Sequence, residues 1–386
     1  MEPIQHKTKQ MMLQNTHKNQ NLRVIIAGGG TGGHVFPAIA IGKALKDKVF
    51  DVQILFVGAK NRMEMQKVPA AGFHIIGLDI AGLQRKLSWK NLLLPVKVIR
   101  SLAASKQIVK RFKPDVVIGV GGYASGPLIW AAAGQKVPVL LQEQNSYPGI
   151  TNRILAKKAD KICVAFSNLE KYFPKEKLFI TGNPVRQDVI QVEGKYDDAL
   201  QYFGLSADKP VVFVTGGSLG ATSINEGVSK HLGHITGQNI QIIWQTGTSY
   251  IRQAQEKIKE LGVDGVFASA FIDRMDYAFA AAEVVVSRAG AIAVSEISAV
   301  RKPAVLVPSP NVAEDHQTKN AMALVNHHAA ILLKDDKVTS DFGQVITALV
   351  FDEEKKQKLK EKIAGMAYRE AADVIAGMAI GMIKNA

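Results

Sequence analysis

Two segments half the chain apart begin in the same way. "RVIIAGGGTGGH" from Arg23 and "PVVFVTGGSLGA" from Pro210 each run a short β-branched stretch straight into glycines, with Gly28 and Gly216 opening the two loops. A strand that feeds a glycine-rich turn and then a helix is the first unit of a doubly wound parallel sheet. Its recurrence half-way along 386 residues predicts an α/β protein with two such domains in tandem. Further strand-like runs agree: residues 52–58, 115–122, 137–145 and 161–166 in the first half, and 240–247, 282–290 and 303–308 in the second. Helical patterns such as "YIRQAQEKIKELG" (250–262) separate them, so the sheets are expected to be parallel. Gly182 and Pro184 in "TGNPVRQDV" place the linker near 181–189. Open parallel sheets bind ligands beyond the carboxyl ends of their strands, and two facing domains would make one deep cleft.

Composition narrows the class. A single cysteine, Cys163, excludes a disulfide scaffold and suits a reducing compartment. Its setting, "KICVAF", reads as a core strand, although a lone nucleophile is the alternative. Residues 1–21 are polar and lack the apolar stretch of a secretory signal, so a disordered tail is expected there. The uncharged run from Val116 to Gln135 is about as long as the ~20 residues of a membrane span. Its glycines and Pro127 make it a strand, a loop and a helix start instead.

The net charge of +14 predicts an anionic partner: nucleic acid, anionic lipid or a phosphorylated substrate. Between Ile80 and Pro114 there are nine cations and no acid, interleaved with Leu83, Leu87, Trp89, Leu92 and Leu93. Apolar side chains among cations suit a peripheral membrane contact. Nucleic acid fits less well, because aliphatic leucines neither stack on bases nor contact phosphate. An ordinary surface helix with core leucines is the plain alternative.

The spacing Gly28, Gly30, Gly33 would also suit a dinucleotide turn, which needs an acid about 20 residues on, at the end of the second strand. That strand ends in "GAKNRME", where Lys60 and Arg62 are cations and Glu64 comes too late for a ribose contact. The glycines are better explained by backbone N–H groups and a helix N-terminus approaching a charged or hydroxylated ligand.

Polar groups with no other structural task cluster at expected strand ends: "GGYASGP" (121–127), "QEQNSYPGITNR" (142–153), "GNPVR" (182–186), "GGSLGATSIN" (216–225), "SRAGAIAVSEI" (287–297) and "PNVAEDHQTKNA" (310–321). With "GGTGGHVFPA", these segments resemble, in order and over residues 22–385, the bacterial transferases that add N-acetylglucosamine from UDP-N-acetylglucosamine to lipid I, giving lipid II for peptidoglycan. The resemblance implies the GT-B architecture, two Rossmann-like domains, and an inverting transfer with no metal and no cofactor. No Asp-x-Asp occurs, in keeping with a metal-independent departure of UDP stabilised by backbone amides and basic side chains. The domains implied are 22–185 for the acceptor and membrane, 186–367 for the UDP-sugar, and a helix in 368–386 that crosses back to the first. The partners implied are UDP-N-acetylglucosamine, lipid I and an anionic membrane surface, at the cytoplasmic face of the inner membrane, with no nucleic acid.

Carried over residue by residue, the amides of Ala291 and Ile292 face the diphosphate at a helix start, Ala293, Val294 and Ser295 belong to the same UDP-N-acetylglucosamine site, and Glu296 accepts from the ribose hydroxyls. Ile272 meets uracil through its backbone, and Ser218 and Arg186 lie at the phosphates. Thr31, Gly32, Gly33, Asn145 and Gln317 surround the sugar. The base that deprotonates the acceptor 4-hydroxyl is either His34 or Glu143, a choice that the sequence leaves open. The chain departs from the family's pattern at Gln142, Leu219 and His316, and by one extra glycine in the first loop. A diacylglycerol glycosyltransferase or a UDP-N-acetylglucosamine 2-epimerase of the same architecture is the enzymatic alternative. A basic nucleic-acid-binding protein is the alternative from another class.

Overall fold

The strands of this protein are apolar almost without interruption, as burial of a parallel sheet on both faces requires. A computed structural model describes residues 21–80 and 94–383. It divides the chain into two units, one running up to Val185 and resuming at Glu370, the other spanning Arg186–Arg369.

The first unit alternates β1 (Arg23–Ala27), α1 (Gly32–Lys48), β2 (Gln53–Ala59), α2 (Glu64–Ala70), β3 (His74–Leu78), α3 (Leu94–Phe112), β4 (Val116–Gly119), α4 (Ser125–Gly134), β5 (Val139–Glu143), α5 (Ile150–Leu155), β6 (Lys161–Val164) and β7 (Leu178–Ile180). Its seven strands lie in the order β3-β2-β1-β4-β5-β6-β7, with every pair parallel. The uncharged run from Val116 is thus β4, a loop and α4.

In the second unit α6 (Gln187–Ile190) and α7 (Tyr196–Phe203) precede β8 (Val211–Thr215), α8 (Thr222–Gly237), β9 (Gln241–Gln245), α9 (Ile251–Leu261), β10 (Val266–Ser269), α10 (Met275–Ala281), β11 (Val284–Arg288), α11 (Ala291–Val300), β12 (Ala304–Val307), α12 (His316–Val325), β13 (Ile331–Leu332), α13 (Val338–Phe351) and α14 (Glu353–Ala364). Its six strands follow the order β10-β9-β8-β11-β12-β13, again all parallel. The fold class is therefore the expected one: α/β, with two Rossmann-like parallel sheets.

Helices pack on both faces of the first sheet. Ile26, Ile118 and Leu140 belong to one apolar cluster and Ile25, Val117 and Leu141 to the other, as the two-residue period of a strand demands. A last helix, α15 (Ala371–Ile383), lays Ile375, Met378, Ala379 and Met382 into the first of these clusters, and Asp373 pairs with Lys48 of α1 at 3.2 Å. Cys163 is buried in β6, and burial pushes its thiol up to about 12, which suits the core reading and not a nucleophile. Leu83, Leu87, Trp89, Leu92 and Leu93, expected at a membrane, lie outside the described residues. Among the described residues no helix is long and apolar enough to cross a membrane.

Candidate functional site

In both sheets the strand order reverses beside the first strand, between β1 and β4 and between β8 and β11. The crevice at the carboxyl ends of such strands is where doubly wound sheets hold ligands, and the glycine loops stand there.

In the first unit the loop after β1 fits only as glycine. A side chain at Gly28 would place its Cβ 2.2 Å from Val120 Cγ2, beyond the end of β4, and Gly30 adopts φ +89°. Glu64, 1% exposed at the start of α2, holds this loop down: Oε1 accepts from the Ala59 N–H and Oε2 from the Gly30 N–H, each at 2.9 Å. Thr31 then opens α1 from an extended conformation without capping it, so the first-turn amides at Gly32 and Gly33 are not covered by its side chain. The Thr31 hydroxyl lies instead 3.0 Å from His34 Nδ1. His34 is half-buried, and its Nε2 edge rests on the turn at Gly121, where an added Cβ would come within 3.0 Å.

Glu143 ends β5 and is buried. Its Oε1 accepts from the Asn145 N–H (3.0 Å) and Nδ2 (3.3 Å), and its Oε2 from the Gly149 N–H (3.0 Å) and Asn152 Nδ2 (2.9 Å). Burial raises its pKa above the ordinary carboxylate value, against the pull of these donors. The carboxylate thereby shapes residues 144–152, and Asn145 is part of that cradle.

In the second unit the loop after β8 interlocks with the one after β9. A Cβ on Gly220 (φ +76°) would meet the Thr246 carbonyl at 2.0 Å, and one on Gly247 (φ +79°) the Leu219 carbonyl at 2.3 Å. Ser218 stands exposed in this loop. Gln245, buried at the end of β9, ties the site together: Nε2 donates to Thr215 Oγ1 and to the Gly217 carbonyl, and Oε1 accepts from the Ile272 N–H, all at 3.0 Å.

α11 starts after Gly290, an N-cap that has no side chain to offer, and carries no acid in its first turn. Ala291, Ile292, Ala293, Val294 and Ser295 form its opening turns, and Glu296 sits 7% exposed on the same helix. Arg186 Nε is 3.8 Å from Glu296 Oε1. Burial, with Asp188 adding to it, lifts the Glu296 pKa to about 7 despite the pull of Arg186. Gln317, early in α12, accepts the Ser309 N–H at 2.9 Å. Arg288, at the end of β11, is held by Ser223 (2.8 Å) and Asp335 and braces the same edge of the sheet.

Glu64, Gln245 and Arg288 were not legible as site residues. Each acts through a contact with a residue distant in sequence, and only the buried polar character of the first two, beside a glycine loop, hints at it.

Residues 24–164 match the glycosyltransferase family 28 N-terminal domain, and residues 211–375 match the C-terminal domain of that family. The chain belongs to glycosyltransferase family 28. This family 28 chain is 50% identical over 367 residues to the UDP-N-acetylglucosamine--N-acetylmuramyl-(pentapeptide) pyrophosphoryl-undecaprenol N-acetylglucosamine transferase of Flavobacterium psychrophilum, covering 95% of this chain and 99% of that one. It is equally identical over 353 residues to the enzyme of the same name from Parabacteroides distasonis, covering 92% and 96% of the two chains. Among solved structures, MurG of Acinetobacter baumannii superposes with a TM-score of 0.77 at 29% identity, over 94% of this chain and all of that one. A Neisseria meningitidis UDP-GlcNAc 2-epimerase shares the fold at 16% identity, with a TM-score of 0.68 over 93% of this chain and 100% of that one. The two-domain GT-B architecture and glycosyltransferase activity follow from membership. Two departures from the family's pattern take their places in the fold. Gln142 is buried inside the first unit, donating to Asn183 Oδ1 at 2.9 Å, and Leu219 is 83% exposed at a loop tip.

Proposed function

We propose that this glycosyltransferase moves N-acetylglucosamine from UDP-N-acetylglucosamine to the 4-hydroxyl of the N-acetylmuramyl unit of a polyprenyl-diphosphate-linked acceptor, with inversion and without a metal. The observation that carries the reading is identity of about one residue in two, end to end, with transferases named for this reaction. The second unit takes the nucleotide. Glu296 accepts from the ribose hydroxyls, the Ile272 carbonyl meets the uracil, and Ser218, Arg186 and the opening turn of α11 lie at the diphosphate, where helix amides and a guanidinium stabilise departing negative charge. Thr31, Gly32, Gly33, Asn145 and Gln317 meet the sugar.

His34 is the base in this reading. It takes the acceptor proton as the 4-oxygen attacks the anomeric carbon and the bond to UDP breaks. Two features favour it over Glu143: its imidazole is half-buried rather than enclosed, and both Glu143 oxygens already serve the 144–152 turn. The basic, leucine-rich stretch between Ile80 and Pro114 brings the first unit to the cytoplasmic face of an anionic membrane, where such an acceptor resides.

The test is UDP release by purified protein in EDTA, with and without a short-chain lipid I analogue. Release only with acceptor supports the reading, whereas release without it points to an epimerase or hydrolase. His34→Ala is expected to lower kcat by about 10²–10⁴ while the KM for UDP-N-acetylglucosamine stays near wild type. Near-normal turnover by that variant removes His34 as the base.

A further inference from the structure

A cavity of about 610 Å³ lies in the first unit, between the sheet and α3. Its floor is Leu55 of β2 with Ile76 and Leu78 of β3, and its wall is Ala104 and Ile108 of α3. β3 is an edge strand, and Ile76 stays 41% exposed there. That volume is within the range of small-molecule sites, roughly 300–1,000 Å³.

The charge of the lining is one-sided. Ser101 Oγ, which donates to the Lys97 carbonyl at 2.6 Å, lies 3.2 Å from the Asp79 carbonyl at one end of the groove, where Lys60 and Arg100 stand. At the other end the Arg23 guanidinium lies 4.8 Å from the Phe112 ring centre, beside Arg111. Arg100 and Arg111 are eleven helical residues apart, about 16 Å along the axis. Among the described residues no carboxylate is within ion-pair distance of any of these four cations, and the one acid of the lining, Asp79, faces Lys97 at 3.7 Å. Among the described residues Arg23 Nε, buried against the Phe112 ring, has no hydrogen-bond acceptor either. Cations left without a carboxylate partner at the ends of an apolar groove suit an anion from outside the chain.

We propose that this groove binds an anionic single-chain amphiphile as a monomer. Its phosphate or carboxylate head sits at Arg23 and Arg111, and its alkyl chain lies along Ile76, Ala104 and Ile108. The site uses no residue assigned to nucleotide or acceptor, but it shares α3 with the stretch read as the membrane contact, and a monomeric probe separates the two.

Calorimetric titration with dodecyl phosphate below its micelle concentration tests it, with inorganic phosphate and dodecanol as the head-only and tail-only probes. Saturable one-to-one binding is expected, with both partial probes at least about tenfold weaker. Ala104→Trp fills the groove and Arg23→Gln/Arg111→Gln removes the head contacts, and each should weaken dodecyl phosphate about tenfold or more. Native resistance of Cys163, in the core of the same unit, to iodoacetamide, measured in the same variants, shows that they fold. No binding by the wild type, inorganic phosphate bound as tightly as the ester, or undiminished binding in both variants would overturn the proposal.

Discussion

Glu296 should cost the second unit stability in order to serve the nucleotide. Its carboxyl is lifted from an ordinary 4.5 to about 7 by burial. At 1.36 kcal/mol per pH unit, holding it ionised above pH 7 costs up to about 3 kcal/mol of folding free energy. The folded state binds the proton more tightly than the unfolded chain, so stability falls as pH rises from 4.5 towards 7 and is level beyond. Glu296→Gln, neutral at every pH, should therefore unfold later than wild type at pH 8, by about 2–4 °C for each kcal/mol regained, and should show little advantage at pH 4.5. Trp244, buried in β9 with its indole N–H donating to Asn225, reports on this unit once Trp89 and Trp130 are replaced by Phe. UDP affinity should move the other way, since an amide replaces a charge-assisted acceptor. A loss of about 1.5–3 kcal/mol, or roughly tenfold or more in Kd, is expected. A variant that is less stable than wild type at pH 8, or equally shifted at both pH values, would refute the reasoning.

Glu64→Ala strands the buried N–H groups of Ala59 and Gly30, so a loss of about 1–3 kcal/mol in urea unfolding should accompany a fall in kcat/KM. A variant with full activity would mean that the loop keeps its shape without the clamp. Gln245→Ala frees Gly217 and Ile272 together, and its expected signature is a raised KM for the sugar nucleotide with kcat changed less, read from initial rates. Cys163, buried and held protonated, should resist iodoacetamide in the native protein and react only after denaturation, as mass spectrometry would show.

The interior of each sheet was legible before the structure was known, but its margins were not. β1, β2, β4, β5 and β6 all announce themselves as apolar runs, as do β8, β9, β11 and β12, because each is covered on both sides. The four strands absent from that reading, β3, β7, β10 and β13, are the four sheet edges. Edge strands here are half-exposed, and two are very short: β7 has three residues and β13 two, and every residue of β10 is only partly buried. The site shows the same divide. The glycine loops and the helix start at Gly290 carry local signatures, whereas Glu64, which comes too late in the sequence for a ribose contact, reaches back 34 residues to Gly30. Its task is a backbone hydrogen bond across the fold, for which no sequence period exists. Glu143 was weighed as a base on its position alone, and the four donors around it come from a turn whose shape it helps to create.

The placement of α15 has a consequence for how the protein is made. A ribosome emits β1 to β7 first, but the core beneath β1 and α1 lacks Ile375, Met378 and Met382 until all of Arg186–Arg369 has been synthesised. The second unit can close on residues already present, whereas the first, though born earlier, waits for a segment more than 180 positions downstream of Val185. A premature stop or a bulky fusion near Ala371 therefore harms the half of the molecule that was translated first, leaving its nascent sheet exposed to aggregation and proteolysis while its sequence neighbour folds intact.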